Sequence, residues 1–229
     1  MTGSGIPAAG TRRTDPTAPP SLDEFRTGSG VNRCHPVAVH QRPPDGTPTR
    51  IVWQPLHVSG AEWCSVERGP NGATIAGVAI VGSPGAVHRF DYELELDAAA
   101  VTRRAQVTAV LPDRTELFDV AADGHGSWWR SGKLVLHEAE AIDVDLGFSP
   151  LTNSLPVWRL GLAIGQAREI SVLWLKYPEL TLIRGRQTYE RLDERSYRYC
   201  SGSFEAVVRV FPDGLVEDYV GYWKAVART

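Results

Sequence analysis

From about Ile51 onward, apolar and polar residues alternate in short runs closed by turn residues every 8 to 12 positions or so, the rhythm of antiparallel β structure. Tyr92, Leu94 and Leu96 alternate with Glu93 and Glu95, and Phe204, Ala206, Val208 and Val210 with Glu205 and Arg209. A period of two places each apolar set on one face of a half-buried strand. The run ISVLWLKYPELTLI at 170–183 is apolar at both parities until Tyr177-Pro178, which predicts a strand covered on both sides or lining a cavity on one. Pro84-Gly85, Asp123-Gly124, Gly132 and Asp213-Gly214 supply the dihedrals that tight reversals need. Helical periodicity is nearly absent. DAAAVTRR at 97–104 fits a short helix with Asp97 as N-cap and fits a strand or loop about as well, and DYVGYWKAVART at the end is a strand or one helical turn. These patterns predict a mainly β protein with few short helices.

The first 50 residues differ. They hold half of the 16 prolines, among Gly, Thr, Ser and Arg, with CHPVAVH at 34–40 as the one segment suited to docking. Such composition leaves chain entropy without an offset, so residues 1–50 are expected to form a largely disordered Pro/Gly-rich tail and residues 51–229 the domain. Of the 24 basic and 27 acidic residues, the tail takes 6 and 4, leaving the domain at net -5. That charge disfavours binding to phosphate backbones, so no nucleic-acid partner is expected. No apolar window of membrane-spanning length occurs and no secretory signal is evident. Three cysteines without CxxC spacing suit a reducing compartment, and the expected location is cytoplasmic.

Candidate chemistry concentrates between 137 and 160. In HEAEAIDVDLGF a bulge or turn near Ala139–Ala141 would separate the aliphatic parity from Glu138 and Glu140, projecting Asp143 and Asp145 side by side. The pair suits a cation or acid–base work, or equally a turn whose carboxylates accept backbone amides. In SPLTNSLPVWRL, Pro150 and Pro156 bracket Thr152, Asn153 and Ser154, a composition for a rigid non-repetitive loop that presents Thr152, Asn153 and Arg159. Neither GxSxG nor SxxK supports Ser154 as a nucleophile, and no nucleotide-binding loop is present. The six histidines lack metal-ligand spacing, so no metal or cofactor is expected. All seven tryptophans follow residue 50. About four should fill the core, and of adjacent Trp128 and Trp129 one should face solvent or a groove.

Ordered segments along the domain carry a family likeness: DVDLGFSPLTNSLPVWRLGL at 143–162, LWLKYPEL, TYERL, YRY, FEAVV and GLVEDYVGYW, with Glu62 and FDYELELD upstream. They resemble the bacterial family named putative glycolipid-binding over residues 51–227. Trp158 stands where that family more often has a second basic residue, and Val220 where Pro is common. The resemblance implies a strongly curved antiparallel sheet or open barrel, similar to lipoprotein-carrier folds. Residues matching its motifs are Asp143, Asp145, Thr152, Asn153, Arg159, Tyr189, Arg191 and Tyr219. With Trp128 and Trp174 they form the expected ligand-binding set. The leading expectation is non-enzymatic binding of a glycolipid or other hydrophobic small molecule, its apolar part against Trp174, Leu173 or Leu175 and its head at Asn153, Arg159 and the aspartates. The alternatives are an enzyme acting on a small or sugar-like substrate through Asp143 and Asp145, and a dimerising scaffold. The oligomeric state is left open.

Overall fold

In the computed structural model the described residues are 47–83 and 85–229. Strands β1 (Thr49–Pro55), β2 (Ser59–Gly69), β3 (Gly72–Ser83), β4 (Ala86–Asp97), β5 (Thr102–Val110), β6 (Thr115–Ala122), β7 (Ser127–Arg130) and β8 (Lys133–His137) follow one another as an antiparallel meander. The chain then crosses to β9 (Asp143–Leu146), a 3-10 turn (Leu151–Asn153) and helix α1 (Ser154–Leu160). A second meander follows: β10 (Ala167–Lys176), β11 (Thr181–Arg191), β12 (Ser196–Ser201), β13 (Phe204–Val210), β14 (Val216–Tyr219) and β15 (Trp223–Arg228). Among the described residues all fifteen strands belong to one sheet with β8 at one edge and β9 at the other. Its two halves join where β1 pairs with β15. The sheet is open and strongly curved, in agreement with the expected class. The Pro/Gly-rich tail up to residue 46, with its CHPVAVH segment, lies outside the described residues, and β1 begins two residues before Ile51.

β9 and β10 are parallel. A parallel pair needs a long crossover where a hairpin serves an antiparallel one, and residues 147–166 supply it. The expected rigid loop at 149–160 is therefore largely helical, which corrects the sequence reading. Pro156 sits in the first turn of α1, where a missing N–H costs nothing, and Gly161 closes the helix in the left-handed region at φ 53°.

The alternating strands bury one face. Ile51, Trp53, Cys64, Ile75, Phe90, Leu94, Val107 and Phe118 line the N-terminal half, and Tyr189, Tyr197, Val208 and Val216 the other. β10 is covered on both sides, as its unbroken apolar run predicted: Val172 is buried on one face and Leu173 and Leu175 on the other. The second face meets the N-terminal half through the turn after β9, where Phe148 stacks on Phe90 at 3.9 Å between ring centres. Edges β8 and β9 are tied into the curl by Arg184–Glu138 (3.1 Å) and by the Thr102 amide on the Ile142 carbonyl (3.1 Å).

The chain turns between β8 and β9, with Glu140 at φ 72°, as the mixed parity of 137–146 required. Asp97 caps a turn, accepting the Ala99 and Val101 amides (2.9 and 3.0 Å), so 97–104 is turn and strand. Residues 223–228 are a strand. Trp128 and Trp129 are both buried, contrary to the expectation that one faces out. A register shift between them breaks the strict alternation on which that expectation rested.

Candidate functional site

β9 carries Asp143 and Asp145 on one face, while Val144 and Leu146 enter the core on the other. Neither aspartate accepts a backbone amide among the described bonds; both are held by side chains. Asp143 is fully buried and takes a two-pronged ion pair from Arg159, Nε at 3.2 Å to Oδ1 and the terminal amine on Oδ2. Burial pushes its carboxyl up and the guanidinium opposes that shift. Asp145 accepts the Gln187 amide at 2.5 Å and the Thr152 hydroxyl at 3.3 Å. Protein atoms surround it and push it up to about 6, against those two bonds, yet a strip of the residue still meets solvent.

The crossover fixes this floor. Thr152 also accepts the Leu146 amide (3.2 Å), pinning the 3-10 turn to β9. Asn153 precedes α1 but does not cap it. Its Oδ1 accepts the Tyr189 hydroxyl at 2.9 Å, and its amide reaches the Pro150 carbonyl at 3.4 Å. Asp145, Thr152, Gln187, Tyr189 and Asn153 thus form one connected polar cluster, since Tyr189 also bonds Gln187 at 3.4 Å. Partial satisfaction of such a cluster would be costly, and connection makes it rigid.

From this floor a file of aromatic rings runs outward across β11 to β15. Tyr189 meets Tyr199 at 5.2 Å, Tyr199 meets Tyr219 at 5.9 Å and Phe204 at 6.0 Å, and both reach Tyr222 at 5.5 and 5.0 Å. His57 stands edge-on to Tyr222 at 5.6 Å. Tyr189 and Tyr199 are buried, Phe204 and Tyr219 half-buried, and Tyr222 exposed, so the file leads from solvent to the carboxylate. Burial raises the phenols of Tyr189, Tyr199 and Tyr219, and Asp145 adds to the rise in each, so these rings stay neutral hydroxyl donors. Trp174 lies directly across from Asp145 on β10, with Ile183 across from it on β11.

The structure thus brings together Asp145, Thr152, Asn153, Tyr189, Trp174 and, through Tyr199, Tyr219; Asp143 and Arg159 adjoin them as a closed pair. It does not bring in the other two predicted residues. Trp128 is fully buried and gives its indole N–H to the Ala141 carbonyl at 2.6 Å. Arg191 clamps the carbonyls of Leu162, Glu194 and Asp193 at 2.9, 2.8 and 3.1 Å. Leu173 and Leu175 face away from Trp174 into the core, so they cannot line the same surface. Trp158, the departure from the family pattern, lies under the Arg68 guanidinium at 3.5 Å and donates to the Asp213 carbonyl at 2.9 Å. Sequence reasoning missed Gln187, Tyr199, Phe204 and Tyr222. Three of these alternate with neighbours named on the same strands, and the two-residue period was the signal that pointed to them. A shallow groove of about 260 Å³ on the opposite sheet face, beside the half-exposed Trp63, also went unremarked. Among the described residues no three His, Cys, Asp or Glu side chains gather as a metal centre needs, and no helix is long and apolar enough to cross a membrane.

The open, curved sheet thus carries on one face of its C-terminal half a file of aromatic rings that ends at Asp145. The chain belongs to the family described as putative glycolipid-binding, whose model matches residues 50–225. It is similar to a crystal structure of a DUF1089 family protein from Pseudomonas aeruginosa, at 30% identity and a TM-score of 0.63, covering 84% of this chain and 99% of that one. A β-barrel-like protein of domain of unknown function DUF1849 from Brucella abortus shares the fold, at 8% identity and a TM-score of 0.52 over 80% of this chain and 98% of that one. No curated protein matches the chain.

Proposed function

We propose that the chain binds an amphiphile with a hydroxylated head, of the glycolipid type, in the aromatic trough and does not transform it. The observation that carries this reading is Asp145, touched by solvent at the inner end of the ring file. Each of its oxygens accepts one protein donor, and a carboxylate has capacity for more, which sugar hydroxyls fill. The faces of Tyr199 and Tyr219 suit the C–H face of a sugar ring, with polar groups fixing orientation. Trp174 and the exposed Ile183 offer an apolar bed for the alkyl part, replacing Leu173 and Leu175 in that role. Each Å² buried there contributes about 25 cal/mol before ordering costs.

Paired-carboxylate catalysis draws less support. Acid–base work by two carboxyls needs both free to exchange protons, and Asp143 is taken up by Arg159. The free thiols of Cys64 and Cys200 suit a reducing, cytoplasmic setting.

The test is organic extraction of the purified protein followed by mass spectrometry, together with titration of an alkyl glucoside below its micellar concentration. Expected are a recovered glycolipid, a raised melting temperature and a change in the Trp174 emission that a Trp174→Phe variant lacks. Repeated recovery of empty protein whose melting temperature no glycolipid or alkyl glucoside shifts would sink the proposal.

A further inference from the structure

A second buried polar cluster lies apart from the trough. Glu62 on β2 is fully buried on the inner face of the N-terminal half. Two hydroxyls converge on one of its oxygens: Tyr92 of β4 at 2.5 Å, and Ser149 of the turn after β9 at 2.6 Å, both to Oε1. Its other oxygen, Oε2, is buried without a hydrogen-bond partner among the described residues. No ion pair reaches it among those residues, and the titratable groups facing it are Tyr92 and Cys64, neither of which supplies positive charge.

An ionised carboxylate here would bury a negative charge with no cation and one oxygen without a donor, which costs far more than leaving a single neutral hydroxyl unpaired. A neutral acid fits the same geometry. Its carbonyl oxygen takes both hydroxyl bonds, and the proton sits on Oε2. Ser149 passes the contact on, since its Oγ also accepts the Leu151 amide at 3.1 Å, one residue before Thr152. The hydrogen-bonded path therefore runs from β4 through Glu62 to the turn that holds Asp145 and Tyr189.

We propose that Glu62 is a protonated carboxylic acid that latches the turn after β9 onto the N-terminal half, and that opening of this turn releases its proton. The assignment is independent of what occupies the trough. Burial pushes the acid up to about 8 from its ordinary 4.5, against the pull of the two hydroxyls. The sign follows: the latch is strongest below pH 4.5, weakens as pH rises, and is lost through pH 8, because the opened acid ionises before the closed one does.

Infrared spectroscopy and amide exchange on the full chain test this. At neutral pH the wild type should show the carbonyl band of a protonated carboxyl that Glu62→Gln lacks, and the band should vanish above about pH 8. Exchange protection at residues 146–153, normalised to intrinsic rates, should fall about tenfold per pH unit between roughly pH 5 and 8, the slope of one released proton, and level off above. In Glu62→Gln that fall should disappear. Ser149→Ala, which removes a bond that pulls the acid down and leaves its burial, should keep the band and the fall, carry both to higher pH and lower the protection at every pH, so the proposal stays decidable even where Glu62→Gln does not fold. A wild type without the band, or wild-type protection at residues 146–153 that does not change between about pH 5 and 8, overturns it.

Discussion

Asp143 and Asp145 stand two residues apart on one strand face, yet their surroundings give them different work. Asp143 is neutralised by Arg159, and removing one partner of a buried pair strands the other's charge. Asp143→Asn should therefore cost about 3 kcal/mol in urea unfolding, whereas the double change Asp143→Leu with Arg159→Met should restore much of it. No cation pairs with Asp145 among the described residues. Its carboxyl sits at about 6 against an ordinary 3.8, so its contribution to stability is complete below pH 3.8 and lost as pH rises through 6. The urea midpoint of the wild type should accordingly fall more steeply between those values than that of Asp145→Asn. A parallel pair of curves would show that the charge of Asp145 is already well solvated. The same variant should weaken alkyl glucoside binding by about tenfold or more, the worth of a hydrogen bond to a charged group.

Neighbouring strands fit one another through single residues that a sequence does not flag. Gly77 pairs with Tyr92 across β3 and β4, and a Cβ at 77 would occupy the space of the Tyr92 ring. Gly77→Val should therefore displace Tyr92 from Glu62 and cost about 2 to 3 kcal/mol by overpacking and a lost buried bond, read in chemical denaturation. Strands such as 90–96 and 204–210 were legible because one face is buried and the period is strict. Where a second layer covers the sheet, the period stops reporting exposure. The shared surface expected of Trp174 and Leu173 was misjudged for that reason, whereas Trp128 and Trp129 were misjudged because a register shift between them breaks the period. The crossover was misjudged from its prolines and polar residues. Those mark a loop in isolation, but the first turn of a helix tolerates Pro156, and Thr152 and Asn153 spend their side chains on β9 and β11. Of the site, the aspartates and the turn were readable from spacing and family likeness. For Gln187 and the outer rings the two-residue period marks the face, but only strand pairing across 42 residues brings Gln187 to Asp145, and no local pattern encodes that register.

At the scale of the molecule, the first and last strands pair, and the edge strand β9 lies against β5 of the first meander. Phe148 on Phe90, Ser149 on Glu62 and Tyr177 on His88 (2.9 Å) key the crossover and the turn after β10 into the N-terminal meander. Neither half can bury its inner face without the other, so both should unfold together. Tryptophan emission, which reports on buried Trp53, Trp128 and Trp129 in the first meander and half-buried Trp174 and Trp223 in the second, and far-ultraviolet dichroism should give coincident urea transitions. Phe148→Ala removes the largest key and should lower both midpoints alike, by about 3 to 4 kcal/mol. Two separated transitions would mean that the meanders are independent units joined only at β1 and β15. Topology also sets the rate. The β1–β15 and β9–β10 pairings close long loops before any burial rewards them, so refolding should take milliseconds to seconds or longer, well outside the range of helical proteins. Because Phe148 and its contacts complete the curl last on this view, Phe148→Ala should accelerate unfolding and leave the refolding rate nearly unchanged in stopped-flow measurements. A refolding rate slowed in proportion to the lost stability would instead place the crossover in the nucleus, with the meanders condensing around it.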